Sequence, residues 1–409
     1  MSHFAYKKNN LFVENVPIRK IAMRHESPFY LYSNHAIINN YKSFLNNFKK
    51  VNPLICFSVK ANSNVQILKL LKRIGSGADV VSGGELLKAL KSGIKPSKIV
   101  FSGVGKTEEE LKLAIKKEIL LINVESVNEA ILINKISSNL RKKTSIGIRL
   151  NPDISAPTHK KISTGKAEDK FGLSKKDLID FCNNFSKFNN LRLDAISVHI
   201  GSQILNDNPY KKTLKVLEEI IAKTKINFKF VDLGGGFGIS YKKSDREIKL
   251  KDYSRLVEKF KNKYNCRIIF EPGRAIVGNA AVLVSKIQYL KKGDKKTFAI
   301  LNAGMNDFMR PALYDAVHNI FPILKNKKMS NDVIEFVGPI CETTCKFIKY
   351  KKYQKIVQSD YVAIMDVGAY GASLSSNYNT KPLIAELIVK KGKVKVIRKK
   401  QDLKNLINN

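Results

Sequence analysis

The first residue with catalytic potential is a lysine that closes an apolar segment. Lys60 follows the run ICFSV at 55–59 and precedes a polar turn at Ala61 and Asn62. A lysine at the end of a buried strand is partly desolvated, which lowers the pKa of its ammonium group and makes the free amine a nucleophile. Such an amine can form a Schiff base with an aldehyde cofactor. The alternative is a structural lysine whose charged end extends into water.

Other apolar segments end in residues that could bind the rest of such a cofactor. The glycines at 234–236 leave backbone N–H groups that can wrap a phosphate, and Gly273 with Arg274 would complete that site. Glu271 could keep a pyridine nitrogen protonated, which makes the ring an electron sink. His199 could stack on the ring or carry a proton. Taken singly, each could instead be a tight turn, an ion pair or a packed histidine. Together with the lysine they form the set that pyridoxal 5′-phosphate needs.

These residues fall at the carboxyl ends of short apolar segments that alternate with amphipathic, helix-like stretches. Near-continuous apolar strands are typical of parallel sheets covered on both faces, and eight of them predict a (β/α)8 barrel, whose active site lies at the carboxyl ends of its strands. A doubly wound sheet is less favoured, because no Gly-x-Gly-x-x-Gly turn follows the first strand. The predicted strands cover residues 54–60, 77–82, 98–103, 120–126, 145–151, 195–202, 228–236 and 267–274.

After Arg274 the pattern changes to strands with few helical signals, which predicts a second, mostly β domain of sandwich or barrel type. The N-terminal segment also contains short β-like runs. We therefore expect an α/β protein with a barrel domain at 28–277, and a β domain formed by residues 1–27 and 278–409. The predicted strands of the β domain cover residues 282–290, 296–304, 332–340, 361–369 and 382–397.

The composition limits which partners the protein can have and which cellular compartment it can occupy. The 409 residues are 44% hydrophobic, enough for a core, and no apolar run approaches the length of about 20 residues that spans a bilayer. Residues 1–10 are followed by no apolar secretory segment, and the five cysteines lack metal or disulfide spacing, so we expect a cytoplasmic protein without a metal site. The net charge of +38 invites a nucleic-acid hypothesis, but only 12 of 73 basic residues are Arg and the lysines are spread evenly.

At this point the chain resembles the diaminopimelate decarboxylases, of the alanine-racemase-like class of pyridoxal-phosphate enzymes, over nearly its whole length. The combination of THKKISTG with KFG, and the run GPICET, distinguish this family from ornithine and arginine decarboxylases. The matching runs are SVKAN (58–62), GADVVSGGEL (77–86), FSGVGKTEEEL (101–111), INVES (122–126), RLNPDI (149–154), THKKISTG (158–165), KFGLS (170–174), HIGSQI (199–204), DLGGGFGI (232–239), EPGR (271–274), GMND (304–307), RPALYDAVH (310–318), GPICET (338–343) and GAYGASLSSNYN (368–379).

The resemblance implies decarboxylation of meso-2,6-diaminopimelate to L-lysine and CO2, the last step of lysine biosynthesis, in a homodimer with shared active sites. Lys60 would hold the cofactor, while Cys341 and Glu342 would come from the neighbouring subunit, Cys341 as proton donor. The implied catalytic residues are Lys60, Cys341, His199 and Glu271. The implied cofactor-binding residues are Lys60, Asp79, His199, Ser202, Gly235, Gly236, Glu271, Pro272, Gly273, Arg274 and Tyr378. The implied substrate-binding residues are Arg274, Arg310, Tyr314, Glu342 and Tyr378.

Two positions depart from the family pattern. Cys345 stands where an aspartate commonly follows the Cys-Glu pair, and Lys381 stands where an arginine commonly follows Tyr-Asn. The first bears on the contact between subunits. The second weakens bidentate binding at that position. Neither touches Lys60 or Glu271.

Three other functions remain open on sequence alone. A phosphosugar aldolase or isomerase would use a lysine and a phosphate loop but would not need the β domain. A cofactor carrier or antizyme-like binding protein would bind without turnover, against which the retained Lys60, Arg310 and Cys341 argue. A nucleic-acid binder would act through the positive charge, and its binding would fall with salt.

Overall fold

The computed structural model describes residues 3–155, 164–166, 168–242, 244–246 and 248–408. The chain divides into two compact units. The barrel unit comprises Tyr41–Ile239 and Arg246–Ala275, and the β unit comprises Met1–Asn40, Ser240–Asp245 and Ile276–Asn409.

The strands are β1 (Phe4–Lys7), β2 (Asn10–Val13), β3 (Val16–Pro17), β4 (Phe29–Ser33), β5 (Leu54–Ser58), β6 (Gly77–Val80), β7 (Ile99–Phe101), β8 (Leu121–Val124), β9 (Thr144–Arg149), β10 (Leu191–Ser197), β11 (Phe230–Asp232), β12 (Arg267–Phe270), β13 (Ala281–Lys292), β14 (Thr297–Leu301), β15 (Ile320–Pro322), β16 (Ile334–Val337), β17 (Lys346–Tyr350), β18 (Tyr361–Ile364), β19 (Ala385–Lys390) and β20 (Lys393–Arg398). The helices are α1 (Ile18–Ala22), α2 (Asn34–Asn47), α3 (Val65–Arg73), α4 (Gly83–Lys91), α5 (Glu108–Lys116), α6 (Val127–Asn139), α7 (Lys175–Asn183), α8 (Asn208–Thr224), α9 (Leu250–Tyr264), α10 (Arg274–Val277), α11 (Arg310–Tyr314) and α12 (Leu403–Ile407).

Strands β5 to β12 close into a parallel barrel in which β12 pairs with β5, as the sequence predicts. One layer of the interior is filled by small and branched apolar side chains from successive strands. Its buried residues are Leu54, Cys56, Val100, Leu121, Ala195 and Ile269. The parallel register also sets Ser58 on β5 beside Asp79 on β6, so polar residues meet at the carboxyl ends of the strands.

The helices of the barrel unit begin at side chains that can cap them. Asn64, Ser82, Ser126 and Ser174 each accept a backbone hydrogen bond at the start of α3, α4, α6 and α7. Thr107 forms a reciprocal capping box with Glu110 at the start of α5. Each such cap stabilises a helix by about 1 kcal/mol and fixes where the strand-to-helix loop ends.

The β unit contains a large sheet in the order β17-β16-β14-β13-β4-β19-β20, with β18 pairing to β13 and β15, and a small sheet of β1, β2 and β3. Its core is built from side chains of β2, α1, β4, β13, β18 and β19. The turn at Lys391 and Gly392 joins β19 to β20 as a hairpin, so the β segment predicted over 382–397 is two antiparallel strands.

Strand β4 differs from the predicted division, which assigned residues 28–33 to the barrel. Its five residues are all buried, and it pairs antiparallel with β13 and parallel with β19. An apolar run alone does not indicate which sheet it joins, because the deciding hydrogen bonds come from distant segments. The structure also groups residues 240–245 with the β unit.

No helix within the described ranges is both long enough and apolar enough to cross a membrane.

Candidate active site

Lys60 lies in a short 3-10 turn, Val59–Ala61, that follows β5. Its Nζ is 3.1 Å from Asp79 Oδ2, and the same oxygen accepts a hydrogen bond from Ser58 Oγ at 2.5 Å. The Asp79 carboxylate is fully buried, whereas the Lys60 side chain keeps 35% of its surface exposed. Asp79 therefore holds the amine at the carboxyl end of the barrel while leaving it accessible.

Glu271 follows β12 and is buried inside the barrel, where its Oε1 accepts a hydrogen bond from Ser102 Oγ at 3.2 Å. Burial, followed by the nearby carboxylate of Asp232, raises the pKa of Glu271 well above its usual value. The site thus contains a carboxyl group that holds its proton more tightly than an exposed one does, which is a requirement for exchanging that proton with a basic ring nitrogen.

His199 follows β10 and lies among the residues that line the same cavity. Its Nδ1 accepts a hydrogen bond from the Gly235 backbone N–H at 3.1 Å, so that nitrogen carries no proton. Burial, and then the positive charges of Lys60 and Arg149, hold the pKa of His199 well below its usual value. His199 is therefore a neutral imidazole with its proton on Nε2.

The glycines after β11 permit a tight approach to the neighbouring strand end. Gly234 and Gly236 have φ angles of +64° and +89°, which favour glycine. A Cβ added to Gly235 would lie 2.1 Å from the backbone carbonyl oxygen of Glu271. Ser58 N–H donates to the Pro272 carbonyl at 3.3 Å, and a Cβ on Gly273 would lie 2.8 Å from that of Ala61. Side chains are excluded from this turn.

Arg274 begins α10 directly after this turn and is buried. Its guanidinium donates a hydrogen bond of 2.8 Å to Ser202 Oγ, which follows β10. A cationic fork and a hydroxyl beside glycine backbone form a group of donors suited to a phosphate.

We expect Gly235→Ala to lower the free energy of unfolding by about 1–3 kcal/mol and to weaken cofactor binding, because the new Cβ meets rigid backbone. Gly84→Ala is the matched control, since a Cβ there meets only Ser82 Oγ at 3.8 Å and should be neutral or slightly stabilising. Urea unfolding of the cofactor-free proteins and titration with pyridoxal phosphate would measure both effects. Equal unfolding midpoints for the two variants would contradict the close approach at Gly235.

Lys60, His199 and Glu271 line a cavity of about 350 Å³ within the barrel unit. Its size lies in the range of small-molecule sites. The cavity is lined by Lys60, Val81, Ser102, Gly103, Val104, Asn123, Arg149, Thr164, Lys170, Phe171, Ser197, Val198, His199, Asp232 and Glu271. Lys60, His199 and Glu271 are thus brought together as the sequence predicts. Most of the THKKISTG run, residues 158–163, lies outside the described residues.

A buried ion pair, which was not among the predicted site residues, includes one residue of the cavity lining, Arg149. Arg149 NH1 contacts Glu125 Oε1 at 2.6 Å, and Glu125 also accepts backbone hydrogen bonds from Gly103 and Gly172. The guanidinium lies 4.7 Å from the centroid of the Phe171 ring. These contacts fix the direction of the Arg149 side chain at the cavity. Arg149 ends its strand, so strand-end position was the available signal.

Three of the predicted residues lie together in the β unit. Tyr378 OH donates to Glu342 Oε1 at 2.5 Å, and Asn379 Nδ2 contacts the Cys341 sulfur at 3.2 Å. The Glu342 carboxylate raises the pKa of Tyr378. Cys341 is an exposed free thiol, whereas Cys345 is buried and accepts a hydrogen bond from the Met305 backbone N–H. The family's aspartate position is therefore occupied here by a packed, neutral side chain.

Arg310 and Tyr314 are the first and last residues of α11 in the β unit. Arg310 is buried, donates to Tyr241 OH at 2.9 Å and lies 2.8 Å from His318 Nε2. His318 Nδ1 is 2.8 Å from the Met365 carbonyl and must donate to it, which leaves Nε2 as the acceptor for Arg310. Tyr314 is half-buried.

Comparison with known proteins decides the family. Residues 34–278 match the family described as "Pyridoxal-dependent decarboxylase, pyridoxal binding domain". The diaminopimelate decarboxylase of Aquifex aeolicus is 40% identical over 403 residues, covering 98% of this chain and 95% of that protein. That of Helicobacter pylori is 42% identical over 386 residues, covering 93% and 95%. The chain belongs to the diaminopimelate decarboxylase family.

Two solved structures of this family have the same fold. The Helicobacter pylori diaminopimelate decarboxylase complexed with L-lysine has a TM-score of 0.90 and 41% identity, and the match covers 96% of this chain and 98% of that one. The M. jannaschii diaminopimelate decarboxylase in complex with L-lysine has a TM-score of 0.93 and 32% identity, with 99% and 96% covered. The predicted barrel and mostly β architecture is thereby confirmed.

The residues of the cavity fit the pyridoxal phosphate that this diaminopimelate decarboxylase family uses. A primary amine, a neutral imidazole and a carboxyl group with a raised pKa line one cavity. A glycine turn with no room for side chains lies beside an Arg-Ser pair. No group of three or more His, Cys, Asp or Glu side chains suited to a metal ion occurs in the part of the chain that the structure describes.

Proposed function

We propose that this protein decarboxylates meso-2,6-diaminopimelate to L-lysine and CO2 with pyridoxal 5′-phosphate. The observation that carries the proposal is the placement of the Lys60 amine and the buried Glu271 carboxyl group in one barrel cavity, in a chain whose full-length relatives are diaminopimelate decarboxylases. When bound, pyridoxal phosphate supplies an aldehyde that links to amines and a protonated ring that withdraws electrons from the carbon losing CO2.

The barrel residues would hold and tune this cofactor. Lys60 would provide the amine, oriented by Asp79 at 3.1 Å. His199, neutral and fixed by the Gly235 N–H, would pack against the ring without adding charge. Glu271 would hold the proton of the ring nitrogen. Ser202, Gly235, Gly236, Pro272, Gly273 and Arg274 of the barrel would bind the phosphate, and Tyr378 of the β unit would contribute a further contact.

The substrate's second amino-acid group distinguishes it from simple diamines and needs its own partners. We propose that Arg274, Arg310 and Tyr314 bind the distal carboxylate and that Glu342 binds the distal ammonium, with Tyr378 as a further contact. A guanidinium gives a carboxylate two parallel hydrogen bonds, and a carboxylate is the natural partner of an ammonium group. Cys341 would donate its thiol proton to the carbon from which CO2 has left.

A panel of amino acids tests this substrate. With purified holoenzyme we expect CO2 release from meso-diaminopimelate at least about 100-fold faster, as kcat/KM, than from L-ornithine, L-arginine or L-lysine, because these lack the distal carboxylate and leave its partners unpaired. Comparable values for ornithine or arginine would contradict the proposed substrate.

We also propose that the protein is a homodimer whose active sites are shared, with Cys341 and Glu342 supplied by the partner subunit. An isologous two-fold dimer would contain two equivalent sites. We further propose a cytoplasmic location, because the five described cysteines are all unpaired and Cys341 is exposed, a state that a reducing compartment preserves.

Mixing two inactive variants should restore activity if the sites are shared. Lys60→Ala and Cys341→Ala damage different chains of each site, so a mixed dimer contains one intact site and one doubly damaged site. A fully exchanged equal mixture should recover roughly a quarter of wild-type activity, because about half of the dimers are mixed. Exchange would be confirmed with differently tagged subunits.

The matched control mixes Lys60→Ala with Glu271→Gln, because Lys60 and Glu271 of one site both belong to the barrel of a single chain. No arrangement of these subunits creates an intact site, so that mixture should stay at the level of its parents. If exchange is complete and the Lys60→Ala/Cys341→Ala mixture remains inactive, although Cys341→Ala alone is nearly inactive, Cys341 serves its own chain and the shared site is refuted.

A further inference from the structure

Asp232 is a second buried carboxyl group beside Glu271, and the proposed mechanism does not use it. It ends β11, and the side chains of Asp232 and Glu271 are 1% and 5% exposed and hydrogen-bonded to each other. A carboxylate has acceptor atoms only, so two carboxyl groups in hydrogen-bond contact must share at least one proton.

The surrounding donors determine which carboxyl group holds that proton. Asp232 Oδ1 accepts the Gly234 backbone N–H at 3.0 Å, and Asp232 Oδ2 accepts Asn123 Nδ2 at 3.1 Å. Apart from its contact with Asp232, Glu271 accepts one hydrogen bond from the described part of the barrel, from the Ser102 hydroxyl at 3.2 Å. Two N–H donors stabilise an anion more than one hydroxyl does. The negative charge therefore belongs on Asp232 and the proton on Glu271.

Asn123 is fixed in the orientation that this arrangement needs. Its Nδ2 also donates to Ser102 Oγ at 3.0 Å, which leaves the Ser102 hydrogen to point at Glu271. The Asn123 carboxamide lies against Gly147 on β9, where an added Cβ would be 2.2 Å from Asn123 Oδ1. The absence of a side chain at Gly147 thus leaves the space that Asn123 occupies.

Burial is the main effect on the pKa of both carboxyl groups, and the other ionisable groups inside the barrel act on them in both directions. Asp79 raises the pKa of both carboxyl groups, and Lys60 lowers that of Glu271. Cys56 on β5 faces the same cluster, and burial followed by Asp232 and Glu271 raises the pKa of its thiol, so it stays neutral. Burial raises the pKa of Asp232 to about 6 and raises that of Glu271 well above its usual value.

We infer that Asp232 is a positioning residue that keeps one proton on Glu271 and, when cofactor binds, favours transfer of that proton to the ring nitrogen. The inference rests on the proposed function, since it takes pyridoxal phosphate as the ligand. The O–H bond of Glu271 breaks together with its hydrogen bond to Asp232, an N–H bond forms on the ring nitrogen, and the Glu271 carboxylate accepts that N–H. The two adjacent carboxylates then hold the proton on the ring more strongly than Glu271 alone would.

Infrared spectroscopy of the cofactor-free protein reads this proton directly. In the difference between the spectra of the cofactor-free and the pyridoxal-phosphate-bound protein at neutral pH, we expect the carbonyl band of a buried carboxylic acid that shifts when glutamate is labelled with 13C and does not shift when aspartate is labelled. Pyridoxal phosphate should remove the band. An analogue with a benzene ring in place of the pyridine ring should bind and leave the band, because it has no nitrogen to accept the proton.

Variants separate the role of Asp232 from a structural one. Glu271→Gln should lack the band. In Asp232→Asn the pH midpoint of the band should fall by about one unit or more, because a negative neighbour is replaced by a neutral amide that donates to Glu271. Asp194→Asn is the matched control, because Asp194 is a buried aspartate on β10 that pairs with Lys229 and Arg192, and its midpoint should equal that of wild type.

A band that follows the aspartate label, persists with pyridoxal phosphate, or keeps its midpoint in folded Asp232→Asn would overturn the inference. The label experiment needs no variant, so poor folding of Asp232→Asn does not prevent the test. None of these readings depends on turnover. A protein that shows them but releases no CO2 from diaminopimelate would refute the proposed function alone.

Discussion

Lys60→Ala is expected to abolish the covalent link between pyridoxal phosphate and the protein and to lower decarboxylation by more than about three orders of magnitude. Within the described ranges Asp79 pairs with no lysine amine other than that of Lys60, which it holds at the cavity. Borohydride reduction followed by peptide mass spectrometry should find the cofactor on Lys60 in wild type and on no peptide in the variant. The visible absorbance of the bound cofactor should be lost as well.

The control is Lys88→Ala. Lys88 lies on α4, donates a hydrogen bond to Ser63 and does not line the cavity. It should keep the link, the absorbance and the activity. Circular dichroism should show that both variants are folded. A reduced lysine adduct and turnover in folded Lys60→Ala would refute the role assigned to Lys60.

Glu271→Gln is expected to lower kcat by roughly 100-fold or more while changing the affinity for pyridoxal phosphate far less. A neutral amide cannot keep the ring nitrogen protonated, so the carbon that loses CO2 has a weaker electron sink. Single-turnover kinetics would give the rate, and a titration followed by absorbance would give the affinity. An unchanged kcat would instead indicate that Glu271 is a structural ion-pair partner within the barrel.

The sequence predicted the barrel and the main cavity residues because both have a repeating signal. Eight apolar segments end at one edge of a parallel barrel, so Lys60, His199 and Glu271 had to converge if the fold was correct. The alternation of apolar strands with helix-like stretches also predicted the order of the strands around the barrel. The sequence did not assign β4 to the β unit, because its pairing with β13 and β19 depends on residues about 250 and 350 positions away.

The polar network beneath Glu271 carries no comparable signal. Ser102 follows β7, Asn123 lies within β8 and Asp232 ends β11, and nothing in their spacing joins them. Only the closure of the barrel brings them together. Strands β15 and β17 were also missed, since β15 has only three residues and β17 has two lysines among its five.

Product stoichiometry tests the central claim most directly. Purified protein reconstituted with pyridoxal phosphate would be incubated with meso-diaminopimelate labelled with 13C in both carboxyl groups, and lysine and CO2 would be quantified by mass spectrometry. We predict one L-lysine and one labelled CO2 for each diaminopimelate consumed, with one label retained in the lysine and no reaction with Lys60→Ala. Unconsumed diaminopimelate in a sample whose cofactor is shown to be bound would contradict the account.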